Sequence, residues 1–466
     1  MEDHWLSTIQ EESSCRHCVA LSLSDLSCWC YECNSYIKHE KLTPLLVRAE
    51  SIKFAVEEKV FLLEKTVKDF TVGFIYPRAE TERHVSETFQ LERPERLSCV
   101  YDRLHESILL SKLRTFPPVV EGRLEDVALA HSAEYISNLM RTTLQGTEEG
   151  DRAIRNLVAA GDVYANKFSA SAALAAVGSV VDLTERVLRG EIQRGFALVR
   201  PPGHHACYDR TGGFCLLNNV AVAARVAQKR HGVAKIAIVD FDIHHGNGTQ
   251  NIFYQDPTVL HISIHRQQFG EIDGEMWEFS EEGKEDRIGE GAGVGFNVNV
   301  PLPAGDQSSD TAADVLLGEG KEKKMNVRGL GDADYLYVWD RVVLPLLAEF
   351  RPELMLVPAG FDASEGDCNM ITGGYHLSPA AYADMTTAMI RAVPGGKCVM
   401  SLEGGYSPRG LADSAEACVR ALLDYERDRS DGCCLKGGSS SIGEELLFLL
   451  WACIALIIDS SSSSRP

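Results

Sequence analysis

Between Asp240 and Gly248 the chain reads Asp-Phe-Asp-Ile-His-His-Gly-Asn-Gly, directly behind an apolar run at 236–239. In an extended segment successive side chains point opposite ways, so Asp240, Asp242 and His244 are expected to share a face. Two of these groups and one more carboxylate from elsewhere would hold a divalent cation and leave a position open for water. That is an arrangement for hydrolysis. A lone Asp-x-His more often ends a buried strand as a plain polar loop, but three further motifs weigh against that reading. Arg200-Pro201-Pro202-Gly203-His204-His205-Ala206 sets two imidazoles on a proline-stiffened turn, suited to a general base and an electrostatic helper. Gly360-Phe361-Asp362-Ala363 offers a third metal ligand. Glu403-Gly404-Gly405-Tyr406 puts a phenol behind two glycines that allow close backbone approach. From there Tyr406 could donate a hydrogen bond to a developing oxyanion.

Each motif follows an apolar, β-type run, at 195–199, 235–239, 354–358 and 398–402, with a further run at 259–264. Helix-like segments at 221–229, 335–350 and 380–393 lie between several of them. The alternation predicts one large three-layer α/β domain with a mostly parallel central sheet. In such sheets ligand sites lie beyond the carboxyl ends of the strands, which is where the motifs fall.

The 466 residues, 45% of them hydrophobic, suffice for a large core. A formal charge of −21 argues against a direct grip on nucleic-acid phosphates. Fourteen scattered cysteines without a secretory signal point to a reducing, intracellular setting, nucleus or cytoplasm. The expected organisation is a short Cys-rich appendage at 1–50, a connector at 51–70, the α/β domain at 71–428 and an irregular tail at 429–466. Residues 306–331 read as a surface insertion. The 13-residue apolar run at 446–458 falls short of the roughly 20 residues a spanning helix needs. It is flanked by Glu444, Glu445 and Asp459, so a misplaced or buried C-terminal helix is favoured over a weak tail anchor.

The four motifs, in this order and each at a strand end, resemble the zinc-dependent, arginase-like histone deacetylase family over about 71–428. RPPGHHA, GGFCLLNNVAVAARVAQ, IVDFDIHHGNGTQNIF, AGFDA and LEGGY are similar to its class II branch, which carries Asn, here Asn247, where class I has Asp. The resemblance implies that Asp242, His244 and Asp362 bind one zinc ion. Ferrous iron stays open as an alternative for so hard a donor set. It further implies that His205, oriented by Asn247, is the general base, and that His204 is held by Asp240. The cation would bring water to a pKa near ~7 for attack on an acetyl-lysine amide, with Tyr406 stabilising the oxyanion. Phe214 matches one aromatic wall of the substrate tunnel and Gly213 the backbone group facing the amide. Trp277, in the loop at 268–279, is expected to form the opposite wall. A structural monovalent cation, potassium, would lie at Asp240, Asp242, His244, Ser263 and Ile264.

Seven residues beyond Asp362, the polyamine-selective relatives carry glutamate, whereas this chain has Asn369. Acetylated histones or other proteins are therefore the expected substrates, with corepressor-type proteins as possible partners. A small-amine deacetylase and a weakly active adaptor stay open. At the other end, His17, Cys30 and Cys33, with Trp29, Tyr31 and Tyr36, resemble the closing part of a ubiquitin-binding zinc finger. The finger's earlier half is expected to be absent, and although Cys15 and Cys18 could in principle complete one tetrahedral site, a remnant with doubtful ubiquitin binding is expected.

Overall fold

The computed structural model describes residues 71–119, 122–159, 162–267, 281–303, 330–367 and 374–424. It also gives the backbone of short strands at Val19–Ser22, Ser27–Cys30, Ser35–Tyr36, Glu271–Ile272 and Glu275–Met276, and of the start of a helix at Phe279–Glu282. The connector, the insertion at 306–331 apart from its last two residues, the tail at 429–466 and the side chains of the N-terminal appendage lie outside the described residues.

Eight strands form one sheet: β1 (Val72–Ile75), β2 (Arg114–Thr115), β3 (Arg194–Ala197), β4 (Ile236–Asp240), β5 (Val259–Arg266), β6 (Asn297–Leu302), β7 (Leu354–Ala359) and β8 (Cys398–Leu402). Their spatial order is β6-β5-β4-β7-β8-β3-β1-β2, and every pairing is parallel. Parallel neighbours need crossovers, and the crossovers cover both faces. The strands accordingly alternate between two apolar cores. Ile236 and Ile238 of β4, Leu354 and Leu356 of β7 and Val399 of β8 face one core. Ala237, Val239, Met355, Val357, Met400 and Leu402 face the other.

The first core is closed by α2 (Ser169–Leu188) and α3 (Asn219–His231), which supply Leu174, Val177, Val180 and Val222. The second is closed by α1 (Glu95–Glu106), α5 (Asp332–Val338), α6 (Leu344–Phe350), α7 (Pro379–Ala392) and α8 (Pro408–Asp424). A shorter helix, α4 (Asn247–Phe253), starts within the DFDIHHGNG motif. The helix expected over 335–350 is present but broken, since a π turn at Trp339–Val343 separates α5 from α6. Pro345 sits at the start of α6 and has no N–H to continue the ladder through that region.

The strands bearing the four motif loops, β4, β7, β8 and β3, are adjacent at the centre of the sheet although they span residues 194 to 402 of the chain. Adjacency in the sheet, not in sequence, brings the loops together.

Candidate active site

Ladder pairing of β4 stops at Asp240, so strand alternation does not itself carry Asp242 and His244 to the site. The backbone bends there instead, and each carboxylate ties down the amide two residues on. Asp242 N–H donates to Asp240 Oδ1 at 3.1 Å and His244 N–H to Asp242 Oδ1 at 2.8 Å. These Asx-type turns preserve the period of two by local hydrogen bonding after the strand has ended. From β7, Asp362 reaches across and accepts the Ile243 N–H at 3.0 Å.

His244 Nδ1 then lies 3.0 Å from both Asp242 Oδ1 and Asp362 Oδ2, and one donor atom of each residue lies within 4.8 Å of the others. Space is kept for the cluster by glycine. A Cβ on Gly360 would stand 1.9 Å from Asp242 Oδ2, and one on Gly404 2.3 Å from Asp362 Oδ2. Burial, and then the adjacent Asp242 charge, push the Asp362 carboxyl above its usual range. Two buried carboxylates beside one imidazole fit a divalent cation, which would remove that repulsion. Asp240 is not part of this donor cluster.

Asp240 holds the histidine pair. Its Oδ2 lies 2.9 Å from His204 Nδ1, while His205 Nδ1 lies 2.7 Å from Asn247 Oδ1. The two rings are 4.0 Å apart, and His205 is 6.0 Å from the His244 ring. The environments separate the two imidazoles. Burial alone would lower His204, but Asp242 and Asp240 outweigh it and raise it to about 10. His205 is held well below its usual value by burial and then by the cationic tendency of His204 and His244.

A third layer of residues was not singled out from the sequence. Glu403 of the LEGGY motif is fully buried and accepts the N–H groups of Gly203, at 2.6 Å, and His204, at 3.1 Å, so it pins the PPGHH turn. Arg96 on α1 donates to the carbonyls of Glu403 and Gly405 and lies 4.9 Å over the Tyr406 ring. Glu92 joins Arg96, at 3.1 Å, to Arg200, at 2.7 Å, and Tyr164 donates to it at 2.7 Å. The available signal was the spacing of Glu92 and Arg96 by four residues and the position of Arg200 before the prolines.

Phe214 and Tyr406 face each other at 6.0 Å in an edge arrangement, and both are half-buried, as is His244. They mark the side of the cluster that solvent reaches. Gly213 adopts φ +50 beside His205, and its N–H donates to Asp162 Oδ2 at 2.7 Å. Ser263 pairs with Asp240 in the β4–β5 register and Ile264 follows it on β5, next to the bend that carries Asp242 and His244. Trp277 and Asn369 lie outside the described residues.

The histone deacetylase domain matches residues 90–422. The zinc finger found in ubiquitin-hydrolases and other proteins matches residues 1–42. Histone deacetylase 18 of Arabidopsis thaliana is 37% identical over 363 residues, covering 76% of this chain and 47% of the relative. Polyamine deacetylase HDAC10 of Homo sapiens is 37% identical over 334 residues, covering 72% of this chain and 45% of the relative. The chain thus spans about half the length of these curated relatives. The crystal structure of the HDA15 HD domain aligns with a TM-score of 0.62 and 33% identity over 76% of this chain and 90% of that one. Sequence and fold agree across most of the α/β domain, and the chain belongs to the histone deacetylase family.

Proposed function

We propose that the chain is a zinc-dependent, class II-type protein lysine deacetylase, with a catalytic domain at 71–428 that hydrolyses acetyl-lysine to lysine and acetate. The observation that carries this reading is the approach of Asp242, His244 and Asp362 to within 4.8 Å, beside the His204–His205 pair. A zinc ion held by those three residues would polarise the acetyl carbonyl and bring attacking water to a pKa near ~7. Ferrous iron would serve the same donors.

The chain's own groups do the rest. With Nδ1–H donated to Asn247, His205 is the basic imidazole whose Nε2 takes the proton of water and returns it to the leaving lysine amine. His204, its Nδ1 against Asp240, contributes positive charge beside the forming oxyanion. Tyr406 donates its phenol O–H to the same oxygen. Phe214 forms one wall for the aliphatic stem of the substrate, and the Gly213 backbone faces the amide. Backbone oxygens around Asp240, Asp242, His244, Ser263 and Ile264 would hold a structural potassium ion. Acetylated proteins and corepressor-type proteins are the proposed partners, in nucleus or cytoplasm, and the charge of −21 disfavours nucleic acid.

Purified protein is expected to release acetate from acetyl-lysine peptides, and a hydroxamate chelator to abolish this. Turnover that persists under chelation would refute the reading. The similarity to a polyamine deacetylase supports a second reading, in which small acetylated amines are the substrates. Asn369 lacks the charge that would attract a polycation, so acetyl-peptide turnover should exceed acetylpolyamine turnover, and Asn369→Glu should narrow the gap.

A further inference from the structure

Behind the Asp242, His244 and Asp362 cluster lies a second convergence of donors. One donor atom each of His204, Cys215 and Glu403 lies within 4.8 Å of the others, and all three residues are buried. They arrive from the loop after β3, the turn before α3 and the end of β8. Cys215 is a free thiol, with Sγ 3.5 Å from the His205 N–H nitrogen and 3.3 Å from the Gly213 carbonyl oxygen. Glu403 adds an independent sign of a missing partner. Its Oε2 accepts two backbone N–H groups, whereas Oε1, equally buried, has no hydrogen-bond partner. A buried carboxylate oxygen without a donor is costly, and a cation is the partner that removes the cost.

We propose that His204, Cys215 and Glu403 form a second metal site, distinct from the one at Asp242, His244 and Asp362, which takes a thiophilic divalent cation such as Cd2+ or excess Zn2+ and inhibits the enzyme. Bonds of about 2.0–2.3 Å place tetrahedral donors roughly 3.3–3.8 Å apart, so side-chain shifts of about an ångström close the set. Imidazole, thiolate and carboxylate make a softer set than two carboxylates and an imidazole, so the two sites prefer different ions. Loading is a ligand exchange without redox change. The ion replaces the thiol proton of Cys215, the proton on the ligating nitrogen of the His204 imidazolium and any proton on Glu403, all of which leave to solvent. Once bound, it takes the positive charge of His204 away from oxyanion stabilisation.

The test adds Cd2+ to the zinc-loaded protein and compares wild type with Cys215→Ala. Other cysteines among the 14 also take cadmium, so the quantity read is the difference between the two proteins. Wild type is expected to bind one more Cd2+ per chain at unchanged zinc content, with a thiolate-to-cadmium absorption band in the difference spectrum. The Cd2+ concentration that halves acetate release, relative to each protein's own rate, should rise at least about tenfold in Cys215→Ala. Glu403→Gln, which keeps an oxygen for the Gly203 and His204 amides, should weaken cadmium uptake in the same direction and guards against a misfolded cysteine variant. Equal uptake and no difference band would overturn the proposal, as would zinc lost one for one as cadmium enters. Stoichiometry and absorbance need no turnover, so they report on this site even if the deacetylase reading fails.

Discussion

At the scale of single residues, the chemistry depends on hydrogen bonds that orient a few polar atoms. Tyr406→Phe should lower kcat by at least about tenfold while leaving zinc content unchanged, because it removes an oxyanion donor and no ligand. Metal analysis beside steady-state kinetics checks this. Gly213→Ala should be more damaging than its size suggests. Its Cβ would stand 2.0 Å from His205 Cδ2, at a backbone φ of +50 that favours glycine. Misplacing a general base by about 1 Å can cost roughly a hundredfold in turnover, which single-turnover assays on a well-folded variant would register. These groups were legible because their types are rare together: two carboxylates and a histidine at alternate positions, two histidines after two prolines, a tyrosine after two glycines. Glu403, Arg96 and Glu92 were not, since a lone acid or base in sequence gives no hint of which carbonyl or amide it will meet.

At the scale of elements, the loops are held by a buried ionic network under α1. Glu92 neutralises both Arg96 and Arg200, and all three are almost fully buried. Glu92→Gln strands two guanidinium groups without their carboxylate, so a loss of about 3–5 kcal/mol in unfolding free energy is expected. Denaturant titration measures it, and an unchanged midpoint would show that the network is not what holds these loops. Strands with strong apolar runs, β3, β4, β5, β7 and β8, fell within a residue or two of where periodicity put them. The edge strands β2 and β6, and β1 next to β2, did not stand out. β2 has two residues, and β6 mixes Asn and Pro with its valines, so local pattern is weak where the sheet context supplies the pairing. The long helix α2 escaped notice because it is buried on most sides and lacks a polar stripe.

For the molecule as a whole, buried neutral histidines couple folding to pH. Burial lowers His131, His261 and His265 to about 4 each. In the unfolded chain they titrate near ~6.5, so between those values the unfolded state binds more protons. Their contribution to stability is complete above about pH 6.5 and is lost as pH falls toward 4, by up to ~1.4 kcal/mol per pH unit for each imidazole. Thermal unfolding across that window should show the midpoint falling with acid. His131 accepts the Asn218 N–H at 2.9 Å, so His131→Gln keeps an acceptor and should flatten the decline. A midpoint independent of pH would contradict this.

The sequence by itself determined which residues can do chemistry and that they follow strands, because residue type and apolar periodicity are local properties. It determined the layered α/β class for the same reason. What only the tertiary structure decided is the order β4-β7-β8-β3 at the middle of the sheet, which makes neighbours of loops far apart in the chain. It also decided that Asp240 serves His204 and stays out of the donor cluster, that bends and not the strand carry Asp242 and His244, and that Glu403 stands beside Cys215. Strand order and side-chain convergence are set by how two cores pack on one sheet, and no window of consecutive residues contains that information.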